Sequence, residues 1–120
     1  IDNRYYVYRK DRSGLTSKKK IGGGVLTAVL KNTDSKVILS EKCESREELW
    51  VLANLNVKKL VIGTVYIAPD FDTSVYEEHS ELVHHVVTNF KDAVTCIVGD
   101  YNRPDLQWLL NCESGFLIPH

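Results

Sequence analysis

The apolar and polar positions follow a strand-like pattern up to Pro69. Short runs rich in β-branched and aromatic residues are separated by clusters of Gly, Asn, Asp, Ser and Lys. The predicted strands are 5–9, 25–30, 36–40, 47–55 and 60–67. Both alternating faces of the segment 47–55 carry apolar residues, so we expect both to be covered. Because the connections are short and no helical pattern intervenes, the pattern favours a meander of antiparallel strands.

One long helix is predicted after Pro69. Ser74 and Glu77 have the spacing of a capping box, and apolar residues then recur at helical spacing. The predicted apolar stripe comprises Val75, His79, Leu82, Val83, Val86, Val87 and Phe90. His79 lies inside this stripe, where a neutral, hydrogen-bonded histidine is more common than a metal ligand. A second, short helix is predicted over 106–110.

The segment 96–102 ends the last predicted strand with two polar side chains. Three apolar residues before Gly99 predict a strand buried on both faces, and the glycine allows a bend or a close backbone approach. Strand alternation points Asp100 and Asn102 to one side and Tyr101 toward the core. A carboxylate can bind a hard cation or orient water, and a carboxamide can bind phosphate. On these residues alone, an ordinary polar strand end is the better interpretation.

Composition limits the classes of protein that remain. The chain has 120 residues, a formal net charge of -1, 43% hydrophobic and 26% charged residues, which suits at most one globular domain with no overall basic surface. No apolar run approaches the roughly 20 residues that span a bilayer, so no membrane segment is predicted. Cys43, Cys96 and Cys112 are odd in number and lack Cys-x-x-Cys spacing. Reduced thiols and an intracellular location are therefore expected.

Five short motifs in order resemble one known family. Gly-Asp-Tyr-Asn at 99–102, followed by Pro-Asp at 104–105 and by Trp108, is similar to the Gly-Asp-aromatic-Asn-x-Pro-Asp-x-x-Trp stretch of the endonuclease domain of non-LTR retrotransposon polyproteins. That domain is a branch of the endonuclease/exonuclease/phosphatase superfamily. The other four motifs fall at 8–12, 22–25, 48–51 and 65–69. Each motif is short, and their shared order carries the resemblance.

The resemblance implies an α+β fold, a DNase I-like α/β sandwich of two mixed β-sheets flanked by helices. Residues 1–120 would be the middle portion of that domain, incomplete at both ends. The implied activity is hydrolysis of a phosphodiester bond with Mg²⁺ or Mn²⁺, which nicks duplex target DNA and primes reverse transcription. The implied partners are the target DNA and a downstream reverse transcriptase domain, in a parent protein expected in the nucleus.

The family motifs carry specific roles onto residues of this chain. Tyr66 would contact the phosphate, and Asp100 would orient and deprotonate the attacking water. Asn102 would hold a phosphate oxygen or join Asp100 in the metal shell, the remaining ligands lying outside the chain. We therefore expect these three residues to converge at one rim of the sandwich. The implied nucleic-acid-binding residues are Arg9, Arg12 and Arg103.

Other family motifs are absent from these 120 residues. The early acidic metal ligand, the late Asp and the terminal Ser-Asp-His are expected outside them, so the segment alone is expected to be inactive. An abasic-site nuclease or a phosphatase of the same superfamily is an alternative. A decayed or domesticated, non-catalytic binding module is another.

Overall fold

The computed structural model describes residues 3–11, 23–69, 72–103, 108–110 and 117–119. Eight strands, a single turn of 3₁₀-helix and one α-helix make up an α+β fold in this part of the chain. In chain order these elements are β1 (Tyr5–Asp11), β2 (Gly24–Leu30), β3 (Asp34–Ile38), the 3₁₀ turn (Ser40–Lys42), β4 (Glu47–Asn54), β5 (Lys59–Tyr66), α1 (Thr73–Asn89), β6 (Ala93–Asp100), β7 (Trp108–Leu110) and β8 (Leu117–Pro119).

The central element is a four-stranded sheet in the order β3-β4-β5-β6. Its first three strands are antiparallel, and β6 pairs with β5 in parallel after the chain crosses over through α1. The strands β1 and β2 form a separate antiparallel pair. Antiparallel pairing is therefore confirmed within each group, but the predicted meander is interrupted, because β2 and β3 belong to different sheets.

The four-stranded sheet is covered on both faces around β4. On one face, Trp50 and Val61 pack against Leu82 and Val86 of α1 in the main hydrophobic core. On the other face, the β1–β2 pair packs against β4 and β5. The prediction that both faces of the 47–55 segment are covered is confirmed, since all but the last residues of β4 are buried or nearly so.

Helix α1 begins two residues earlier than the capping box predicts. Asp72 is the N-cap, and its side chain accepts a hydrogen bond from the backbone N–H of Ser74 at 3.2 Å. Asp is as favourable an N-cap residue as Ser, so the helix starts after Asp72 and Ser74 lies inside its first turn. Three residues of the predicted apolar stripe, His79, Leu82 and Val86, are buried, but Val87 is half exposed.

Two predictions near the end of the chain are wrong. Cys96 and Val98 are exposed, because β6 is the edge strand of its sheet and the β1–β2 pair covers the neighbouring strands instead. The segment 108–110 is a strand paired antiparallel with 117–119, and not part of a helix. Segment 108–110 is a strand because it pairs with segment 117–119, and the residue pattern of one segment does not reveal its pairing partner.

Two further sequence predictions concern thiols and membranes. Cys43 and Cys96 are both free, while Cys112 lies outside the described residues. Within the described ranges, no helix is long and apolar enough to cross a membrane.

Gly63 leaves room for the largest core side chain. A Cβ added there would lie 2.6 Å from two ring carbons of the fully buried Trp50. We expect Gly63→Ala to lower the free energy of unfolding by about 1–3 kcal/mol, because the ring must move in a closely packed core. Urea unfolding measures the loss. In the background of Trp50→Phe the same change should cost less, so strict additivity of the two losses would contradict this explanation.

Candidate functional site

The structure brings Tyr66 and Asp100 together at one end of the four-stranded sheet. They are register partners on the parallel strands β5 and β6, both of which finish at these residues. On the other side of Tyr66, its register partner is Glu47 of β4, which is fully buried. Partners on neighbouring strands project to the same face, so the side chains of this row share one face of the sheet rim.

Asn102 is tied to the same rim by hydrogen bonds. Its side-chain N–H donates to the carbonyl oxygen of Ile67 at 2.7 Å, and its backbone N–H donates to Asp100 Oδ1 at 2.8 Å. The backbone N–H of Ile67 donates in turn to the carbonyl oxygen of Asp100 at 2.9 Å. Asn102 has φ 50°, a left-handed conformation that Asn tolerates better than most residues. The chain thus turns out of β6 with Asp100 and Asn102 adjacent.

These contacts determine which atoms remain for a ligand. The amide nitrogen of Asn102 is engaged by Ile67, so its carboxamide oxygen is the atom suited to a cation. Asp100 is exposed, and one of its oxygens accepts a single backbone hydrogen bond. Together they supply two oxygen donors of the kind that Mg²⁺ prefers. Among the described residues, no group of three or more His, Cys, Asp or Glu side chains could hold one metal ion.

Behind the rim lies a buried polar network that pattern reading missed. Glu48 accepts hydrogen bonds from Trp50 Nε1 at 2.7 Å and from Arg46 Nε at 2.8 Å. His79 Nδ1 lies 3.0 Å from Glu48 Oε2, close in distance but poorly aligned. His79 Nε2 is 2.7 Å from the hydroxyl of Tyr101. The expectation of a buried, hydrogen-bonded histidine is confirmed, and its partners are now known.

A signal for this network was present in the sequence. Glu48 and Trp50 are two residues apart and therefore lie on the same face of β4, which the pattern predicts to be covered. A carboxylate on a covered face requires partners that satisfy its charge and hydrogen-bonding capacity. Two of the partners, Arg46 and His79, come from the preceding loop and from α1, so strand periodicity could not identify them.

Burial and hydrogen bonding act in opposite directions on these groups. Burial by itself would raise the pKa of Glu48, but the nearby His79 ring and the hydrogen bonds from Arg46 and Trp50 outweigh it and lower that pKa. Burial, with a smaller contribution from the Glu48 charge, raises the pKa of Tyr101 to about 12. The Tyr101 hydroxyl therefore keeps its proton at neutral pH. Glu48 remains ionised there.

The lowered pKa of Glu48 predicts how stability depends on pH. Its contribution is fully present above the ordinary glutamate value of 4.5 and is lost as the pH falls through the lower value of the folded state. Glu48→Gln should lower the free energy of unfolding by about 3 kcal/mol near neutral pH, because Arg46 would lose its buried partner charge. The deficit relative to wild type should shrink below pH 4.5.

Urea midpoints from pH 7 to pH 3 measure this deficit. Glu81→Gln, at an exposed position of α1, is the matched control and should differ little from wild type at any pH. A deficit that stays constant across this range would contradict the ionised, hydrogen-bonded state of Glu48.

The predicted nucleic-acid-binding arginines differ in their surroundings. Arg9 of β1 is exposed and forms an ion pair with Asp11 at 2.9 Å. Arg103 directly follows Asn102, and its guanidinium lies 5.2 Å from the centre of the Tyr76 ring. Arg12 lies outside the described residues. Of the two arginines that the structure describes here, Arg103 is the one adjacent to the Asp100–Asn102 turn.

Two of the clefts formed by the described residues are of interest because they lie away from this rim. One, of about 500 Å³, runs between the 3₁₀ turn and α1 and is lined mainly by charged residues, with Glu41, Glu44, Glu78 and Glu81 among them. The other, of about 400 Å³, lies between β1 and the start of β4. Neither includes Tyr66, Asp100 or Asn102. An excess of carboxylates makes the first cleft a poor binding surface for phosphate.

Comparisons with known proteins do not identify a family for this chain. A scan against protein-family models finds no match, and searches of the curated proteins and of the solved structures return no similar protein.

Proposed function

We propose that this chain is part of a divalent-metal-dependent DNA endonuclease of the endonuclease/exonuclease/phosphatase type, from the non-LTR retrotransposon branch. The observation that carries the proposal is the pairing of Tyr66 with Asp100 across β5 and β6, with Asn102 tied to the same strand ends. The order of the five sequence motifs is its second support. A helix on one face of the central sheet and a strand pair on the other suit a DNase I-like sandwich.

The three side chains divide the chemistry of phosphodiester hydrolysis among them. The exposed carboxylate of Asp100 orients the attacking water and accepts its proton. The hydroxyl of Tyr66 donates a hydrogen bond to a phosphoryl oxygen, where negative charge increases in the transition state. The carboxamide oxygen of Asn102 would join Asp100 in holding a cation. When bound, Mg²⁺ or Mn²⁺ supplies neutralisation of charge on the phosphoryl oxygens.

An exposed rim suits a long substrate better than an enclosed cavity does. Asp100 is exposed, and Arg103 beside it adds a cation that can contact a neighbouring phosphate. Contacts of this kind position a duplex without reading its sequence. A nick in duplex DNA leaves the 3′ end that a downstream reverse transcriptase extends.

Nicking of supercoiled plasmid tests the proposal. The protein encoded by the open reading frame that contains these residues should convert supercoiled plasmid to open circles with Mg²⁺ or Mn²⁺, and not with a chelator. The 120-residue segment should show no appreciable nicking, since two oxygen donors do not complete a near-octahedral shell. Plasmid binding without nicking by the longer protein would instead identify a binding module.

A further inference from the structure

Tyr101 is held from behind by two side chains of α1. The Tyr76 hydroxyl donates a hydrogen bond to the carbonyl oxygen of Tyr101 at 2.6 Å, and His79 Nε2 is 2.7 Å from the Tyr101 hydroxyl. Tyr76 and His79 are three residues apart on the helix, so they face the same way. One of these bonds fixes the main chain of Tyr101 and the other fixes its side chain.

This attachment is anchored to side chains in the core. His79 is buried and lies against Glu48, which is fully buried and accepts hydrogen bonds from two other side chains. The two ring nitrogens of His79 thus lie between these groups, with Nε2 2.7 Å from the Tyr101 hydroxyl and Nδ1 3.0 Å from Glu48 Oε2. A continuous path therefore joins the start of β4, through α1, to the residue between Asp100 and Asn102.

We propose that His79 and Tyr101 are positioning residues, which hold the Asp100–Asn102 turn in its geometry through the hydrogen bond between them. The role of these two residues in catalysis rests on the proposed function, whereas their hydrogen bond to each other and its effect on the turn do not. Asn102 adopts a left-handed conformation, and Asp100 ends an edge strand. The hydrogen bonds of Asn102 to Ile67 and to Asp100 hold the turn on its outer side, and the link through His79 and Tyr101 holds it from the core side.

The hydroxyl can be separated from the packing of the ring. The rings of His79 and Tyr101 are 5.2 Å apart and tilted, a contact that Phe would retain. Tyr101→Phe therefore removes one oxygen atom and its hydrogen bond. Tyr8→Phe is the matched control, because it removes a hydroxyl that is 2.8 Å from Ser35 Oγ in a different part of the fold.

Amide hydrogen exchange in the 120-residue chain measures the link directly. The reporter is the N–H of Ile67, a buried residue whose amide donates to the carbonyl oxygen of Asp100. Tyr101→Phe should speed its exchange about tenfold, the factor that corresponds to one net hydrogen bond, and Tyr8→Phe should leave it unchanged. An unchanged rate in Tyr101→Phe, or an equal rise in both variants, would overturn the proposal.

Activity of the longer protein provides the second readout. Tyr101→Phe should lower kcat for nicking by about tenfold and leave KM nearly unchanged, because substrate contacts are kept while the turn loses its order. An unchanged kcat would overturn the positioning role even if exchange is faster. If the longer wild-type protein does not nick DNA, the proposed function fails, and the exchange experiment alone decides whether the link holds the turn.

Discussion

Asp100→Asn is expected to lower the nicking rate of the longer protein by at least about 10²-fold, which is the loss typical of removing one electrostatic group from a catalytic site. The amide keeps the shape of the side chain and still accepts the hydrogen bond from the backbone N–H of Asn102. It carries no negative charge, so it neither accepts a proton from water nor binds a hard cation strongly. The loss should therefore occur without unfolding.

The matched control is Asp92→Asn. Asp92 is an exposed carboxylate that lies 3.6 Å from Lys59, just before β6 begins, whereas Asp100 lies where β6 ends. Both variants change the net charge equally, so a general weakening of DNA binding would affect them alike. Initial rates of plasmid nicking and urea midpoints should be measured for both. Equal activity of the longer protein with and without Asp100 would rule out its catalytic role.

Local pattern predicted most of the strands, the helix and the covered faces of β4, but it did not predict that β6 is exposed. The covered faces of β4 were predicted because both faces of this segment carry apolar residues. The same argument failed at Cys96 and Val98, because an apolar run has the same pattern in a central strand and in an edge strand. Exposure of β6 depends on how far the β1–β2 pair extends across the sheet, and this is a property of tertiary packing.

The candidate site was predictable only where a motif named its residues. The distance in sequence between Tyr66 and Asp100 is bridged by α1, and their pairing requires the parallel arrangement of β5 and β6. Neither fact follows from the periodicity of either strand. The link from Glu48 to Tyr101 was missed for the same reason, since β4, α1 and the end of β6 meet only in three dimensions.

Among glycine-to-alanine substitutions in the strands around the site, Gly99→Ala is expected to destabilise the fold the most. Gly99 has φ 152°, and an added Cβ would overlap the backbone carbonyl oxygen of its register partner Val65. At Gly63 the obstructing atoms belong to a side chain, which can shift, whereas here they belong to the main chain of β5. Relief therefore requires β5 and β6 to separate at the pair next to Tyr66 and Asp100.

The expected loss for Gly99→Ala is at least about 3 kcal/mol, because backbone strain and overpacking act at the same residue. Urea unfolding measures it against Ser80→Ala, an exposed helix position that should change little. The loss should also exceed that of Gly63→Ala, since a packed ring yields more readily than a paired strand. A Gly99→Ala protein within about 1 kcal/mol of wild type would mean that the two strands separate easily at this point. The close pairing that brings Tyr66 beside Asp100 would then not be a rigid feature of the fold.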